Sequence, residues 1–295
     1  MDWRGIHRHA TALARARRSL TRSLTLAVVL LTLAGVIAVW PFASLAVADA
    51  RLAREADATP TAGDAAALTA AEDYNEWLRV TGQTLIGSTV DPLDGSTDYS
   101  GADDPGYSEG LSLDADGLMG RVTVPSVGID LPVWHGSSPD VLTRGAGHLP
   151  GTSLPTGGAG THAVLTGHSN LRGVSMFTGL SGVRTGDVMQ VRTMAGVLSY
   201  RVSDVRVAAP SDVSGLRIIP GADLLTLVTC TGGGNQYRLL VTGERVPDAP
   251  VEGVRRVVWP WIAAGCAGGL AGCVGVRVWR AGRASRGRPA SRHGA

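Results

Sequence analysis

Residues 224–246 read LLTLVTCTGGGNQYRLLVTGERV. The first run, LLTLVT, and the later run, RLLVTGER, are dense in aliphatic and β-branched residues, whose stiff branched side chains suit a pleated strand. Between them, TGGGNQY is turn material, because Gly and Asn accept left-handed backbone that other residues resist. Two β runs joined in this way predict an antiparallel hairpin. Such a hairpin sets Cys230, at the end of the first run, and Arg238, at the start of the second, on one rim within reach of each other.

The same pattern recurs outward from this hairpin. Short β-rich runs at 121–124, 129–133, 162–166, 188–191 and 197–205 are punctuated by Gly and Pro, which predicts a mainly β barrel or sandwich over 118–250. Helical turns are expected only near 138–144 and 174–180. Upstream, residues 48–80 have a helical composition broken near Pro60 and Gly63. Leu68, Ala71, Tyr74, Asn75 and Leu78 recur there at helical spacing, so one face should dock on something. Residues 82–117 turn to Gly, Ser, Asp and Pro, an acidic irregular segment of the kind that serves as a functional cover or a linker.

Two uncharged stretches, 24–47 and 257–276, are each long enough to cross a bilayer as a helix. The chain has no lysine, so all 27 basic residues are Arg, and they are segregated. Residues 1–23 carry +5, residues 277–295 carry +6, and residues 48–256 carry −9. The positive-inside rule then puts both Arg-rich tails in the cytoplasm and residues 48–250 outside, on a plasma membrane. Trp40, Trp259, Trp261 and Trp279 sit near the span ends, where indoles favour the interface. A cleaved signal peptide is the alternative for the first stretch, with Ala46-Val47-Ala48 resembling a cleavage site, but its length favours a retained anchor. Cys266 and Cys273 fall in the second stretch, leaving Cys230 without a disulfide partner outside. An acidic external domain with no basic stripe is a poor nucleic-acid binder, and no metal-ligand spacing or cofactor motif is present.

Taken singly, the chemical candidates are ordinary: a strand Cys is usually a small core residue, a lone His structural, an edge Arg solvated. Together they say more. His168 follows the run AVLT, so a barrel could bring it to the rim that holds Cys230 and Arg238. Those three types supply a nucleophile, a proton donor and acceptor, and a fixed cation for a carbonyl oxygen.

The segments VPSVGIDLPVWHGSSPDVLTRGAGHLPGTSLPTGGAGTHAVLTGHSNL and LVTCTGGGNQYRLLVTGER resemble the catalytic domain of class C sortases, the pilus-assembling type, across residues 118–247. TGH, TLxTC and RLLVxGER stand in the right order, and AEDYNEWL is similar to a helix of that class. The resemblance implies an eight-stranded sortase-type β-barrel with an N-terminal helical segment and two transmembrane helices. It implies a Cys230 thiolate that attacks an LPxTG-like sorting signal between Thr and Gly, His168 as acid and base, and Arg238 on the oxyanion. Residues 207–222 would shape the signal groove, with Ile218, Ile219, Pro220 and Thr229 as contacts. Asp91, Pro92 and Leu93 fall where the class carries its lid. No cofactor is implied. The partners implied are LPxTG-bearing pilins or surface proteins, and an acceptor amine from a pilin lysine or a peptidoglycan precursor.

This sequence departs from the class pattern at three places. Leu93 stands where the lid carries an aromatic residue. The loop after Cys230 is one residue shorter, with Tyr237 where a His is common. Thr242 replaces a frequent Arg. Pilus polymerisation is the leading expectation; the alternatives are anchoring of surface proteins to the wall precursor and a catalytically silent scaffold barrel. Two strings that imitate the substrate, Leu149-Pro-Gly-Thr152 and Leu154-Pro-Thr-Gly157, are expected to be barrel loop.

Overall fold

The computed structural model describes residues 3–57, 64–83, 86, 105–169 and 175–247. Helix α1 covers Trp3–Asp57 and has Pro41 inside it. Its segment Arg17–Pro41 is long and apolar enough to cross a membrane. At 1.5 Å per residue it would reach roughly 37 Å, beyond the hydrocarbon core of a bilayer. The second stretch expected to span, 257–276, lies outside the described residues.

Helix α2, Ala65–Thr81, begins where the Asp64 carboxylate accepts the Ala66 N–H at 3.0 Å and ends at Gly82, in left-handed conformation. The expected docking face holds: Ala71, Tyr74, Asn75 and Leu78 are buried. Asn75 fixes the docking by donating to the Leu154 carbonyl and the Thr156 hydroxyl, both at 2.9 Å, and accepting the Leu154 N–H at 2.7 Å. The segment expected to be irregular contains a short helix, α3, Pro105–Glu109. Tyr107 and Leu111 are fully buried, and their burial, worth about 1.5–3 kcal/mol for a large side chain, ties this part of the segment to the core.

Eight strands close into a barrel: β1 (Leu118–Val124), β2 (Ile129–His135), β3 (Ala146–His148), β4 (Thr161–Thr166), β5 (Val188–Thr193), β6 (Gly196–Ala208), β7 (Asp223–Thr231) and β8 (Tyr237–Val246), in the order β1-β2-β3-β4-β7-β8-β6-β5. The expected runs all form strands, several of them longer than expected. Strand β3 was not legible, since Ala-Gly-His has neither length nor β-branched residues. Helix α4, Pro139–Arg144, matches one expected helical stretch and makes the crossover between the parallel pair β2 and β3. Ser138 caps it. The other stretch gives only a 3₁₀ turn at Thr178–Gly182.

Alternation sorts the strands into two faces. Leu131, Leu165, Leu227, Leu239 and Val241 join Met119, Phe177 and Tyr200 in the barrel interior. Val164, Val228, Leu240 and Ala208 belong to a second apolar cluster on the outer face. A register shift between Val202 and Asp204 turns the end of β6 over, so that Ala208 joins that outer face. Both substrate-like strings lie in the β3/β4 connection, with Leu149, Thr152, Ser153 and Leu154 buried.

Candidate active site

The expected hairpin forms, and its register makes Cys230 and Arg238 direct partners across β7 and β8. The connection passes through Gly232 at φ 82°, Gly234 at φ 73° and Asn235 at φ 60°, the left-handed backbone that the composition anticipated. Arg238 Nη1 donates to the Asn235 carbonyl at 2.8 Å and to the Tyr237 carbonyl at 2.9 Å, so the loop holds the guanidinium at its root. Both side chains are nearly enclosed, Cys230 6% and Arg238 5% exposed. Burial draws the Arg238 pKa below its ordinary value, though a guanidinium stays charged at any working pH.

His168 reaches the same rim from β4. That strand runs parallel to β7, with Thr166 opposite Val228, and His168 and Cys230 each stand two residues further on. The alignment continues beyond the ladder. Gly167 N–H donates to the Val228 carbonyl at 3.1 Å, and the Thr229 hydroxyl donates to the Gly167 carbonyl at 2.8 Å. The chain then turns, with the Phe177 N–H bonding the His168 carbonyl at 3.0 Å. A Cβ at position 167 would lie 2.9 Å from the Phe177 ring, so only Gly fits there. His168, Cys230 and Arg238 therefore occupy three adjacent strand ends, about 4.8 Å apart per strand. His168 is half-buried, and desolvation lowers its pKa.

The outer apolar cluster forms a floor beside Cys230. Val228 and Leu240 lie two residues inward on β7 and β8, on the same face as Cys230 and Arg238, with Val164 and Ala208 on the flanking strands. Leu149 from the β3/β4 connection and Leu216 from the β6/β7 connection stand over it, with Val213 at its margin. Ile86, 6% exposed, packs into the same cluster from the chain that follows α2. Leu216, Leu149 and Ile86 escaped the sequence reading, because loop residues carry no periodicity to assign them a face.

The other expected site residues are placed as follows. Thr229 is buried and holds the Gly167–His168 turn through its hydroxyl. Ile218 is partly buried against the interior cluster and lines a cavity of about 390 Å³ with Pro220, Leu78, Gln83 and Arg217. Ile219 is 55% exposed. Asp91, Pro92 and Leu93 lie outside the described residues.

His162, on the outer face of β4, secures the β6/β7 connection. Its Nδ1 lies 2.8 Å from the Arg217 carbonyl and its Nε2 2.8 Å from the Thr226 hydroxyl. Because a carbonyl can only accept, Nδ1 carries a proton; burial lowers the ring's pKa.

A thiol flanked by an imidazole and a guanidinium, beside an apolar floor, is equipped for acyl transfer through sulfur. The sortase domain signature matches residues 122–246. The chain is 28% identical over 130 residues to Sortase A of Streptococcus agalactiae, covering 43% of this chain and 52% of that protein, and so spans about half the length of that relative. It is 29% identical over 152 residues to Sortase A of Bacillus anthracis, covering 50% of this chain and 70% of that one. Among solved structures, sortase C-1 from Actinomyces oris is 40% identical with a TM-score of 0.52, covering 60% of this chain and 98% of that one. Sortase C1 from Streptococcus agalactiae is 35% identical with a TM-score of 0.55, covering 63% and 90%. A pilus-related Sortase C of Group B Streptococcus is 33% identical with a TM-score of 0.52, covering 61% and 88%.

Proposed function

Since the chain belongs to the sortase family, with class C sortases as its structural relatives, we propose that it is a membrane-anchored transpeptidase acting on an LPxTG-like sorting signal. The observation that carries this reading is the alignment of His168, Cys230 and Arg238 on three neighbouring strand ends above an apolar floor.

The chemistry follows from the residue types. The Cys230 thiolate attacks the Thr carbonyl carbon of the signal, and Arg238 donates hydrogen bonds to the oxyanion that forms. The Thr–Gly bond breaks as His168, in its imidazolium form, protonates the departing Gly amine. A thioester to Cys230 remains. An incoming amine gives a proton to His168, attacks the thioester carbon and expels the thiolate, completing an amide. The chain contains no lysine, so no side-chain amine of its own can serve as acceptor. A lysine of a pilin subunit is the acceptor we favour, in keeping with the class.

The segment containing Asp91, Pro92 and Leu93 serves as the lid. Arg17–Pro41 anchors the protein, residues 257–276 cross back, and the barrel lies outside the cell. Incubating the full chain with an LPxTG peptide and measuring intact mass tests the reading. It predicts an adduct of the LPxT acyl fragment on the wild-type chain, discharged by hydroxylamine, and none on Cys230→Ala. Cleavage without dependence on Cys230 would contradict it.

A further inference from the structure

One peptide unit of the β6/β7 connection is gripped from two sides. The carbonyl of Arg217 bonds His162 Nδ1 on β4 at 2.8 Å, and the N–H of Ile218, the other end of the same peptide unit, donates to Gln83 Oε1 at 2.6 Å. Gln83 is 4% exposed, sits at φ 30° immediately after the α2 cap, and donates its Nε2 to the Gly151 carbonyl at 3.1 Å. A buried amide with both its oxygen and its nitrogen engaged is expensive to displace, because each lost partner leaves a desolvated polar group. Gln83 thus joins three separate parts of the chain: the end of α2, the β3/β4 connection and the β6/β7 connection.

The position of this grip matters. Leu216, one residue before the gripped peptide unit, stands over the apolar floor beside Cys230. Ile86, three residues after Gln83, rests on that floor. The gripped peptide therefore fixes the groove wall, and the residue that grips it from outside the barrel opens the segment leading to the lid. We propose that Gln83 is a positioning residue that sets the β6/β7 connection for recognition of the sorting signal. It acts through Ile218, to which it is bonded, and the adjoining Leu216. This inference rests on the proposed function, since it assigns the apolar floor to that substrate.

The test compares the full-length wild type with Gln83→Met, which keeps the volume and removes both bonds, and Gln83→Glu, which keeps an acceptor for Ile218 and loses the donor to Gly151. Steady-state cleavage of a fluorogenic LPxTG peptide is measured alongside amide hydrogen exchange over residues 214–222 and thermal unfolding. Gln83→Met should raise KM roughly tenfold with kcat within about twofold, a shift equal to about 1.4 kcal/mol, and should speed exchange at Ile218. Gln83→Glu sets a buried carboxylate against the Gly151 carbonyl, so its KM relative to wild type should also rise at pH 8 and fall back as the pH is lowered, where a protonated carboxyl can again donate to Gly151. An unchanged KM for Gln83→Met overturns the inference, as does faster exchange without a KM change. A fall in kcat that tracks a fall in Tm also overturns it, showing a purely structural role. A wild-type chain that cleaves no LPxTG peptide, even with Asp91 and Leu93 replaced by Gly, contradicts the proposed function itself, whereas an active wild type with an indifferent Gln83→Met contradicts this inference alone.

Discussion

Cys230 and Arg238 are register partners across the β7/β8 ladder, and the carbonyls of Asn235 and Tyr237 hold the Arg238 guanidinium at its root. Both bonds leave from Nη1 and fix one end of a planar, permanently charged fork beside the Cys230 thiol. A lysine has no such fork: its compact ammonium on a flexible stem cannot hold the loop carbonyls and a substrate oxygen in the same fixed geometry. Arg238→Lys should therefore lower kcat by about 10²–10³-fold, the loss seen when one oxyanion donor is removed. Urea unfolding of the same variant should change little. Activity near that of wild type would remove Arg238 from the oxyanion.

Ile86 rests on the floor beside Cys230, where an aliphatic residue of the substrate would lie in our reading. Its burial favours the covered state by about 1.5–3 kcal/mol. Ile86→Ser should therefore speed alkylation of Cys230 by a small thiol reagent and lower the KM for an LPxTG peptide by up to about tenfold. Deleting residues 88–95 should speed alkylation as well. Unchanged alkylation in both variants would mean that this segment does not gate the thiol.

Thr229 acts on His168 through the backbone. Its hydroxyl bonds the Gly167 carbonyl, which fixes the turn that delivers the imidazole. Thr229→Val leaves that carbonyl without its donor, at a cost of about 1–3 kcal/mol in stability. Misplacing the imidazole should lower kcat by about 10–10²-fold, more than KM changes. An equal effect on both parameters would point to general loosening.

Two histidines paired across β2 and β3 set an acid limit on stability. Burial holds His148 down at about 3 and His135 at about 4, against an ordinary 6.5. Between those values and 6.5, the unfolded chain binds protons that the native chain refuses, so stability is complete above pH 6.5 and falls as the pH drops toward 4. Chemical denaturation should show a loss of about 2–4 kcal/mol between pH 7.5 and pH 5. His135→Phe should flatten part of that dependence. A profile flat over this range in the wild type would show that neither ring is held neutral.

The hairpin was readable because its partners are close in sequence: a short Gly-rich loop between two β runs leaves little freedom in register. The place of His168 was readable because it follows a strand. The groove itself was hidden. In LLTLVTC every residue is buried, since the interior covers one face and the β6/β7 connection with Ile86 covers the other, so no alternation shows which residues face out. Leu216 and Gln83 owe their positions to long-range packing, and Tyr107 was concealed in a stretch whose Gly, Asp and Pro content read as linker. The resemblance to class C sortases pointed to the β6/β7 connection, and Leu216 of that connection packs on the floor.

Thioester chemistry at Cys230 can be read directly as hydroxamate formed from an LPxTG peptide and hydroxylamine. The chain lacking residues 88–95 should produce the LPxT hydroxamate, and the same chain with Cys230→Ala should produce none. Equal hydroxamate from both chains, or none from either, would contradict a cysteine transpeptidase.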